Sequence, residues 1–143
     1  MNIKIKKLHE NAVVPSYAYE HDACFDLTAV DMSIIDKGDY GYIEYSIGLA
    51  MEIPEGYVGL IYPRSSCSNT GMILSNSVGV IDSGYRSEIK ARFKYIAGTK
   101  YYEIGDRICQ MMIVPIPKVD SFELVDELSE SVRSTSGFGS SNN

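Results

Sequence analysis

The sequence NSVGVIDSGYRSEIKAR, residues 76–92, combines strand patterning with a tight-turn signal. Positions 72–81 are rich in apolar and β-branched residues, and positions 86–95 alternate apolar with polar or basic side chains. Alternation of this kind is typical of a half-buried strand, and a Ser-Gly dipeptide is typical of a turn. We therefore predict a β-hairpin that carries Asp82 and Tyr85 at its bend. An ordinary structural turn would explain the same residues, because Asp and Gly favour turns for backbone reasons alone.

The same period of two recurs along most of the chain, whereas a period of 3.6 is almost absent. Turn signals such as Pro-Glu-Gly at 54–56 and Asn-Thr-Gly at 69–71 separate the strand-like runs. The predicted strands are 3–8, 43–53, 57–62, 72–81, 88–96, 108–116 and 122–125. Many short strands joined by turns indicate an all-β sandwich, barrel or jelly roll.

Length and composition limit the classes of function. A chain of 143 residues with 45% hydrophobic residues suits one globular domain. A net charge of −6 argues against non-specific nucleic-acid binding, which needs cations to neutralise phosphates. No apolar run reaches the length of a membrane span, and the start MNIKIKKLHE lacks a signal-peptide block, so we expect a cytoplasmic location. The widely spaced cysteines predict reduced thiols and no zinc site.

The last fifteen residues, SESVRSTSGFGSSNN, differ from the rest in composition. They are rich in Ser, Gly and Asn and lack an apolar face, which predicts a flexible arm (129–143) after one folded domain (1–128). Phe138 between two glycines, with Arg133 upstream, would let the arm carry a ring and a cation to a flat anionic ligand. A plain disordered tail is the alternative interpretation.

Two further stretches carry groups that suit phosphate binding. Arg64, Ser65 and Ser66 open a polar loop that ends at Gly71, and their donors suit phosphate oxygens. Gln110, shortly after a Gly-Asp-Arg sequence, offers an uncharged amide to a ligand. A structural turn with a surface arginine would explain the first stretch equally well.

Asp26 lies between apolar residues of a predicted strand. A buried carboxylate is costly, so we expect it to be paired with an arginine, exposed, or near a cation. A salt-bridged structural Asp is the alternative. Asp106 and Arg107 offer a similar local explanation, because the two side chains could pair with each other at the start of a strand.

Five stretches, taken together and in order, resemble the five motifs of the homotrimeric deoxyuridine triphosphatases, the dUTPase family. They are ACFDLTA (23–29), PRSSCSNTG (63–71), GVIDSGYRSEI (79–89), GDRICQ (105–110) and RSTSGFGSS (133–141). Cys24 and Ser87 stand where the family usually has Gly, and the tail departs at Ser134 and at Ser141-Asn142. The acids, arginines, Gln110, Tyr85 and Phe138 of the pattern are kept.

The resemblance implies a jelly-roll-like (β-clip) domain in a homotrimer with intersubunit active sites and a C-terminal arm that closes over them. It implies the Mg²⁺-dependent hydrolysis of dUTP to dUMP and pyrophosphate, which limits uracil incorporation into DNA and supplies dUMP for thymidylate synthesis. Asp82 would be the catalytic base that orients a water for attack on the α-phosphate. Asp26 would reach the metal through a coordinated water.

The resemblance also implies the substrate contacts. Phosphates would be held by Arg64, Ser65, Ser66 and Gln110. Uracil would be read by Asn76 and by backbone groups near Val80, Ile81 and Lys90, with Tyr85 against the deoxyribose. Closure of the arm would bring Arg133, Phe138, Gly139 and Ser140 over the nucleotide.

Two other functions stay open on the sequence. A dCTP deaminase relative would share the fold but need a different acid/base set, and the GVIDSGYR and GFG sequences favour the hydrolase. A regulatory protein could keep the nucleotide site as a switch for a protein partner of unknown identity.

Overall fold

Ten short strands and one 3-10 turn make up the regular structure of residues 1–132, the part of the chain that the computed structural model describes. The strands are β1 (Lys4–Lys7), β2 (Phe25–Thr28), β3 (Asp31–Asp36), β4 (Gly41–Ser46), β5 (Leu49–Glu52), β6 (Tyr57–Pro63), β7 (Met72–Leu74), β8 (Gly79–Ile81), β9 (Lys90–Tyr95) and β10 (Arg107–Pro115). The 3-10 turn, Ser65–Asn69, follows β6. Among these residues, no helix is long and apolar enough to cross a membrane.

Two four-stranded sheets and a two-stranded ribbon form the domain. One sheet has the order β2-β10-β6-β8, the other has the order β3-β4-β9-β7, and β1 pairs with β5. Every pairing is antiparallel. Fully buried side chains fill the core, the largest being Tyr45, Phe93, Leu27, Ile43, Ile47, Leu49, Ile53, Ile89, Ile108 and Met111. This arrangement confirms the all-β, jelly-roll-like prediction.

Two predicted strands are each divided by a backbone feature that the apolar pattern conceals. The predicted strand 43–53 is β4 and β5, with a break at Gly48, whose φ is +69°. A Cβ there would lie 2.8 Å from His9 Cβ, so both the dihedral and the close approach require glycine. The predicted strand 72–81 is β7 and β8, separated by a turn in which Ser77 has φ 61°.

The predicted hairpin is wrong in its pairing, although its turn is confirmed. Tyr85 N donates to Asp82 O at 3.0 Å, which closes the tight turn. However, β8 pairs with β6 in one sheet, whereas β9 pairs with β4 and β7 in the other. The run before the turn pairs with a different strand from the run after it, so the turn connects the two sheets.

The predicted strand 122–125 is also wrong. Phe122 is 93% exposed and Leu124 is 100% exposed, and within residues 1–132 this stretch pairs with no strand. A β-strand needs a hydrogen-bonded neighbouring strand, and residues 1–132 of one chain provide none for residues 122–125. Conversely, β3 escaped prediction because its adjacent isoleucines and terminal acids do not alternate. The boundary between domain (1–128) and arm (129–143) stays a prediction.

Candidate active site

The first candidate site is a cleft of about 640 Å³ beside β2 and β10, which we call the arginine cleft. Strand β10 places Gln110 opposite both Asp26 of β2 and Tyr62 of β6, so three strands converge here. The 3-10 turn starts directly after β6 and adds a serine. The polar lining of the arginine cleft includes Asp26, Arg64, Ser65, Arg107 and Gln110, with Tyr19 and Asp22 from the loop before β2.

Asp26 is the centre of an ion-pair triad. Arg64 Nε donates to one carboxylate oxygen at 2.7 Å, and Arg107 Nη1 donates to the other at 3.0 Å. The Asp26 side chain is only 17% exposed, so the two cations offset its desolvation. The expected arginine partner is therefore confirmed. Asp106 does not pair with Arg107, because the Asp106 carboxylate accepts a hydrogen bond from Glu103 N instead. The suggested local pair between Asp106 and Arg107 is therefore wrong.

The loop that carries the serines is fixed by the core. Ser66 Oγ lies 2.9 Å from the buried Tyr102 hydroxyl, and Arg64 Nη1 lies 3.4 Å from the same serine oxygen. Gly71 ends the loop, because its N–H donates to Lys100 O and its carbonyl accepts from Ile96 N. Ser65 is exposed at the start of the 3-10 turn, free to meet a ligand.

A second cleft, of about 340 Å³, lies between β8 and β9, and we call it the edge cleft. Its lining residues are Ile61, Leu74, Ser75, Asn76, Gly79, Lys90, Ala91 and Arg92. A Cβ added at Gly79 would lie 3.1 Å from Ile61 Cβ and 3.6 Å from Asn76 Nδ2. The cleft is therefore narrow, and glycine leaves the room beside the Asn76 amide.

One edge of β9 is open to this cleft. Residues 90–93 pair with β4 on one side, and on the other side β7 pairs only from Phe93 onward, with Ser75 N donating to Arg92 O. Main-chain groups alternate sides along an antiparallel strand, so those of Lys90 point the same way as those of Arg92. Within residues 1–132 no strand pairs with Lys90 on that side. Unpaired donors and acceptors thus face the cleft.

The turn between β8 and β9 presents the predicted acid and ring. Asp82 is exposed, and in the described part of the chain its carboxylate has no hydrogen-bond or ion-pair partner. The Tyr85 hydroxyl donates to Glu88 O at 2.8 Å, which fixes the ring against the turn. Val80 is exposed on β8, and Ile81 is half-buried beside Asp82.

The predicted site residues thus fall into two groups that one chain does not bring together. The arginine cleft and the edge cleft share no lining residue, and Asp82 lines neither. Arg133, Phe138, Gly139 and Ser140 lie outside the described residues. Arg107, which joins Asp26 and lines the arginine cleft, was missed as a site residue, although its place in the GDRICQ sequence was a signal.

The titratable groups near the clefts respond to burial and to charge. The thiol of Cys109 has a pKa raised to about 12, chiefly by burial. Burial, followed by the nearby Asp26 and Asp22, also raises the pKa of Cys24. All three cysteines are free, as predicted, although Cys24 and Cys67 are only half-buried. The Cys67 thiol donates to Met72 O at 3.2 Å, so its role is structural.

The donor set of the arginine cleft fits a hard cation only with help from a ligand. A carboxylate offers about four acceptor positions, and the two arginines use two of those on Asp26. In residues 1–132, no group of three or more His, Cys, Asp or Glu side chains is placed to hold a metal. A metal such as Mg²⁺, which keeps waters and is bound through few carboxylates plus phosphates, suits this arrangement.

Fold and site together define a class, namely an all-β protein with one cleft lined by arginines and a second, narrow cleft at an open strand edge. The family model described as dUTPase matches residues 10–142. The chain therefore belongs to the dUTPase family, the deoxyuridine 5′-triphosphate nucleotidohydrolases.

Individual relatives align with this chain over nearly its full length. The chain is 42% identical to the deoxyuridine 5′-triphosphate nucleotidohydrolase of Helicobacter hepaticus, over 99% of this chain and 89% of that protein. It is 37% identical to the one from Escherichia phage T5, over 97% of each. Among solved structures, a variant dUTPase of Staphylococcus bacteriophage 80alpha with dUpNHpp matches with a TM-score of 0.83 and 28% identity, over 98% of both chains.

Proposed function

We propose that this dUTPase hydrolyses dUTP to dUMP and pyrophosphate at a site formed by the edge cleft of one copy and the arginine cleft of another. The observation that carries the proposal is the pair of complementary clefts that one chain keeps apart. One has the shape for a flat base, and the other has the charge for phosphates. The co-crystallised dUpNHpp of the phage 80alpha relative supports a deoxyuridine nucleotide as the ligand.

Uracil selection follows from the open edge of β9. The base presents acceptor, donor and acceptor on its pairing edge, and the Lys90 backbone with the Asn76 amide can satisfy them as a neighbouring strand would. Backbone groups near Val80 and Ile81 supply the remaining contacts. Cytosine would leave buried polar groups unpaired, which discriminates by orders of magnitude. The narrow space beside Gly79 excludes the thymine methyl, and Tyr85 leaves no room for a 2′-hydroxyl.

Phosphate binding belongs to the arginine cleft. Arg64, Ser65, the Ser66 amide and Gln110 donate to the triphosphate oxygens, with Arg107 adding charge beside them. Gln110 Nε2 now donates to Pro63 O at 2.9 Å, a bond that it would exchange for a phosphate contact. Asp26 would hold Mg²⁺ through a water, and the ion when bound neutralises the charge of the triphosphate.

Asp82 is the group that we assign to the chemistry. Its carboxylate is exposed and has no partner in the described part of the chain, so it is free to accept a proton. It orients a water for in-line attack on the α-phosphorus and takes the proton as the new P–O bond forms. Pyrophosphate leaves as the old P–O bond breaks, with its charge held by the arginine cleft.

A homotrimer with shared sites would also cover surface that a single copy leaves exposed. Phe122, Leu124 and Leu128 lie in a stretch that pairs with no strand among residues 1–132, and each is at least 88% exposed. Apolar groups of this size in one segment are more typical of a buried interface than of a free surface. Burial against a second copy would stabilise the assembly in proportion to the area removed from water.

Activity with and without metal tests the reaction itself. Purified protein should release pyrophosphate from dUTP, lose this activity with EDTA and regain it with added Mg²⁺. Turnover of dCTP should be lower by at least about 100-fold, since a missing or misplaced polar partner is costly. Turnover of dTTP should also be lower, because the narrow space beside Gly79 excludes the thymine methyl. Equal turnover of dUTP and dTTP, or release of ammonia from dCTP, would reject the proposal.

Complementation between two inactive variants tests the shared site. We would co-express Asp82→Asn and Arg64→Met chains, each nearly inactive by itself. If every site takes Asp82 from one chain and Arg64 from another, random assembly restores about one quarter of the sites. Sites confined to one chain would restore none, and that result would contradict the intersubunit arrangement.

The C-terminal arm is proposed as the closing element. Phe138 would stack on the base while Arg133, Gly139 and Ser140 contact the phosphates. Deletion of residues 133–143 should keep the oligomer, as judged by light scattering, and should lower kcat/KM for dUTP by at least about tenfold. Full activity of the truncated chain would reduce the arm to a plain tail.

A further inference from the structure

One carboxylate outside both clefts holds two basic side chains of the edge cleft. Glu44 of β4 lies directly opposite Arg92 of β9 in the sheet. One of its oxygens accepts from Lys90 Nζ at 2.8 Å. The other accepts from Arg92 Nε and Nη2, each at 2.7 Å. The Glu44 side chain is only 17% exposed, although it lies on the outer face of the sheet.

This cluster differs from an ordinary surface ion pair. Both carboxylate oxygens are used, Arg92 is bound at two nitrogens, and its guanidinium lies 5.0 Å from the centre of the Tyr42 ring. The bond from Lys90, and then that from Arg92, keeps the pKa of Glu44 below its ordinary value against the opposing effect of burial. Isolated exposed pairs contribute little, whereas several charges that form one network contribute more.

The cluster fixes the part of β9 that faces the edge cleft. Lys90 and Arg92 are two residues apart, so their side chains share one face of the strand while their main-chain groups share one edge. That edge is open at Lys90, and β4 alone pairs with the strand there. Side-chain bonds from β4 to both residues therefore limit shear and twist in the unpaired stretch.

We infer that Glu44 is a positioning residue for base recognition, acting through Lys90 and Arg92 to hold the open edge of β9 in register with uracil. The inference rests on the proposed function of the edge cleft and extends it to a residue that lines neither cleft. Loss of the carboxylate would also leave two like charges side by side at the cleft, which pushes the two side chains apart. Both effects weaken binding of the base and leave the phosphate contacts intact.

The test compares Glu44→Gln with Glu52→Gln. Glu52 is a matched control, because it too accepts from a lysine across two strands, at 2.7 Å from Lys4, but on the β1–β5 ribbon. For Glu44→Gln we expect KM for dUTP and Kd for dUMP to rise about five- to tenfold, with kcat changed by less than about twofold. The control should match the wild type, and inhibition by free pyrophosphate should be unchanged in both variants.

A conservative second variant separates positioning from stability. Glu44→Asp keeps the charge on a shorter side chain, so KM should fall between the wild-type and Glu44→Gln values. A Glu44→Gln protein that melts at a lower temperature yet keeps the wild-type KM would overturn the inference. So would equal losses in the control. Wild-type protein that neither hydrolyses dUTP nor binds dUMP would reject the proposed function and the inference together, whereas an active wild type with unchanged variants rejects only the inference.

Discussion

The arginine cleft and the edge cleft differ in the kinds of group that line them. The arginine cleft is built from charged side chains around one carboxylate, with Arg64 and Arg107 each bound to Asp26. The edge cleft combines main-chain groups of β9, the Asn76 amide, Gly79 and apolar walls with two basic side chains, Lys90 and Arg92, whose charges are paired with Glu44. Charge attracts phosphates with little regard to what lies beyond them, whereas a row of fixed donors and acceptors selects one base. In the proposed function, the strength of nucleotide binding and the selectivity for the base therefore belong to different clefts.

The largest effect should come from the residue that belongs to neither cleft. Asp82→Asn removes the proton acceptor while keeping shape, so kcat should fall by about 100- to 10,000-fold with binding of dUpNHpp nearly unchanged. The rate of pyrophosphate release measures kcat, and isothermal titration calorimetry measures the binding of dUpNHpp. Asp39→Asn, an exposed acid in the β3–β4 turn, is the control. Wild-type turnover in Asp82→Asn would remove Asp82 from the base role.

Arg64→Met should break the arginine cleft without affecting the edge cleft. The substitution removes phosphate donors and leaves Asp26 with Arg107 as its one partner in the triad. We expect kcat/KM for dUTP to fall by about 100-fold, in line with loss of a charged transition-state contact, while Kd for deoxyuridine changes by less than about twofold. An equal loss for deoxyuridine and dUTP would show that the clefts are not separate in function. Lys118→Met serves as the control for loss of a surface cation.

The smallest effect concerns pH and the edge cleft. The folded-state pKa of Glu44 is lowered from 4.5, so its ion pairs stabilise the fold fully above that value and are lost as pH falls through the lowered one. Lys90 and Arg92 have raised pKa values and stay protonated across this range. The Tm difference between wild type and Glu44→Gln should thus be constant from about pH 6 to about pH 9 and shrink as the pH falls below 4.5 and through the lowered pKa. A difference that grows on acidification would contradict this sign.

Much of the fold followed from local pattern, and the errors have a common physical cause. The alternation in β9 was predicted because burial follows it closely, with Ala91 and Phe93 inside and Lys90 and Arg92 outside. The strand pairing predicted across the turn at Asp82 was wrong, because one exposed turn can join two strands of one sheet or two different sheets. The strand breaks at Gly48 and Ser77 were not predicted, because a positive φ angle does not change the hydrophobic periodicity of the sequence.

For the site, the sequence predicted residues but not their grouping. The family resemblance placed Asp26, Arg64 and Asn76 in one functional set, yet the separation into two clefts depends on which strands are neighbours. Glu44 escaped because no motif contains it, and its importance appears only when β4 lies beside β9. Long-range pairing of this kind is the information that periodicity lacks.

The bond between Ser66 and Tyr102 has a consequence for genetics. Tyr102 packs edge-on against Phe93, which packs edge-on against Tyr45, and the Tyr45 hydroxyl donates to the Tyr102 carbonyl. Ser66, which we propose binds phosphate, is thereby attached to three aromatic rings in the core of the sandwich. A screen for loss of enzyme activity would recover substitutions at these rings alongside the active-site residues, and kinetics alone would not distinguish the two groups.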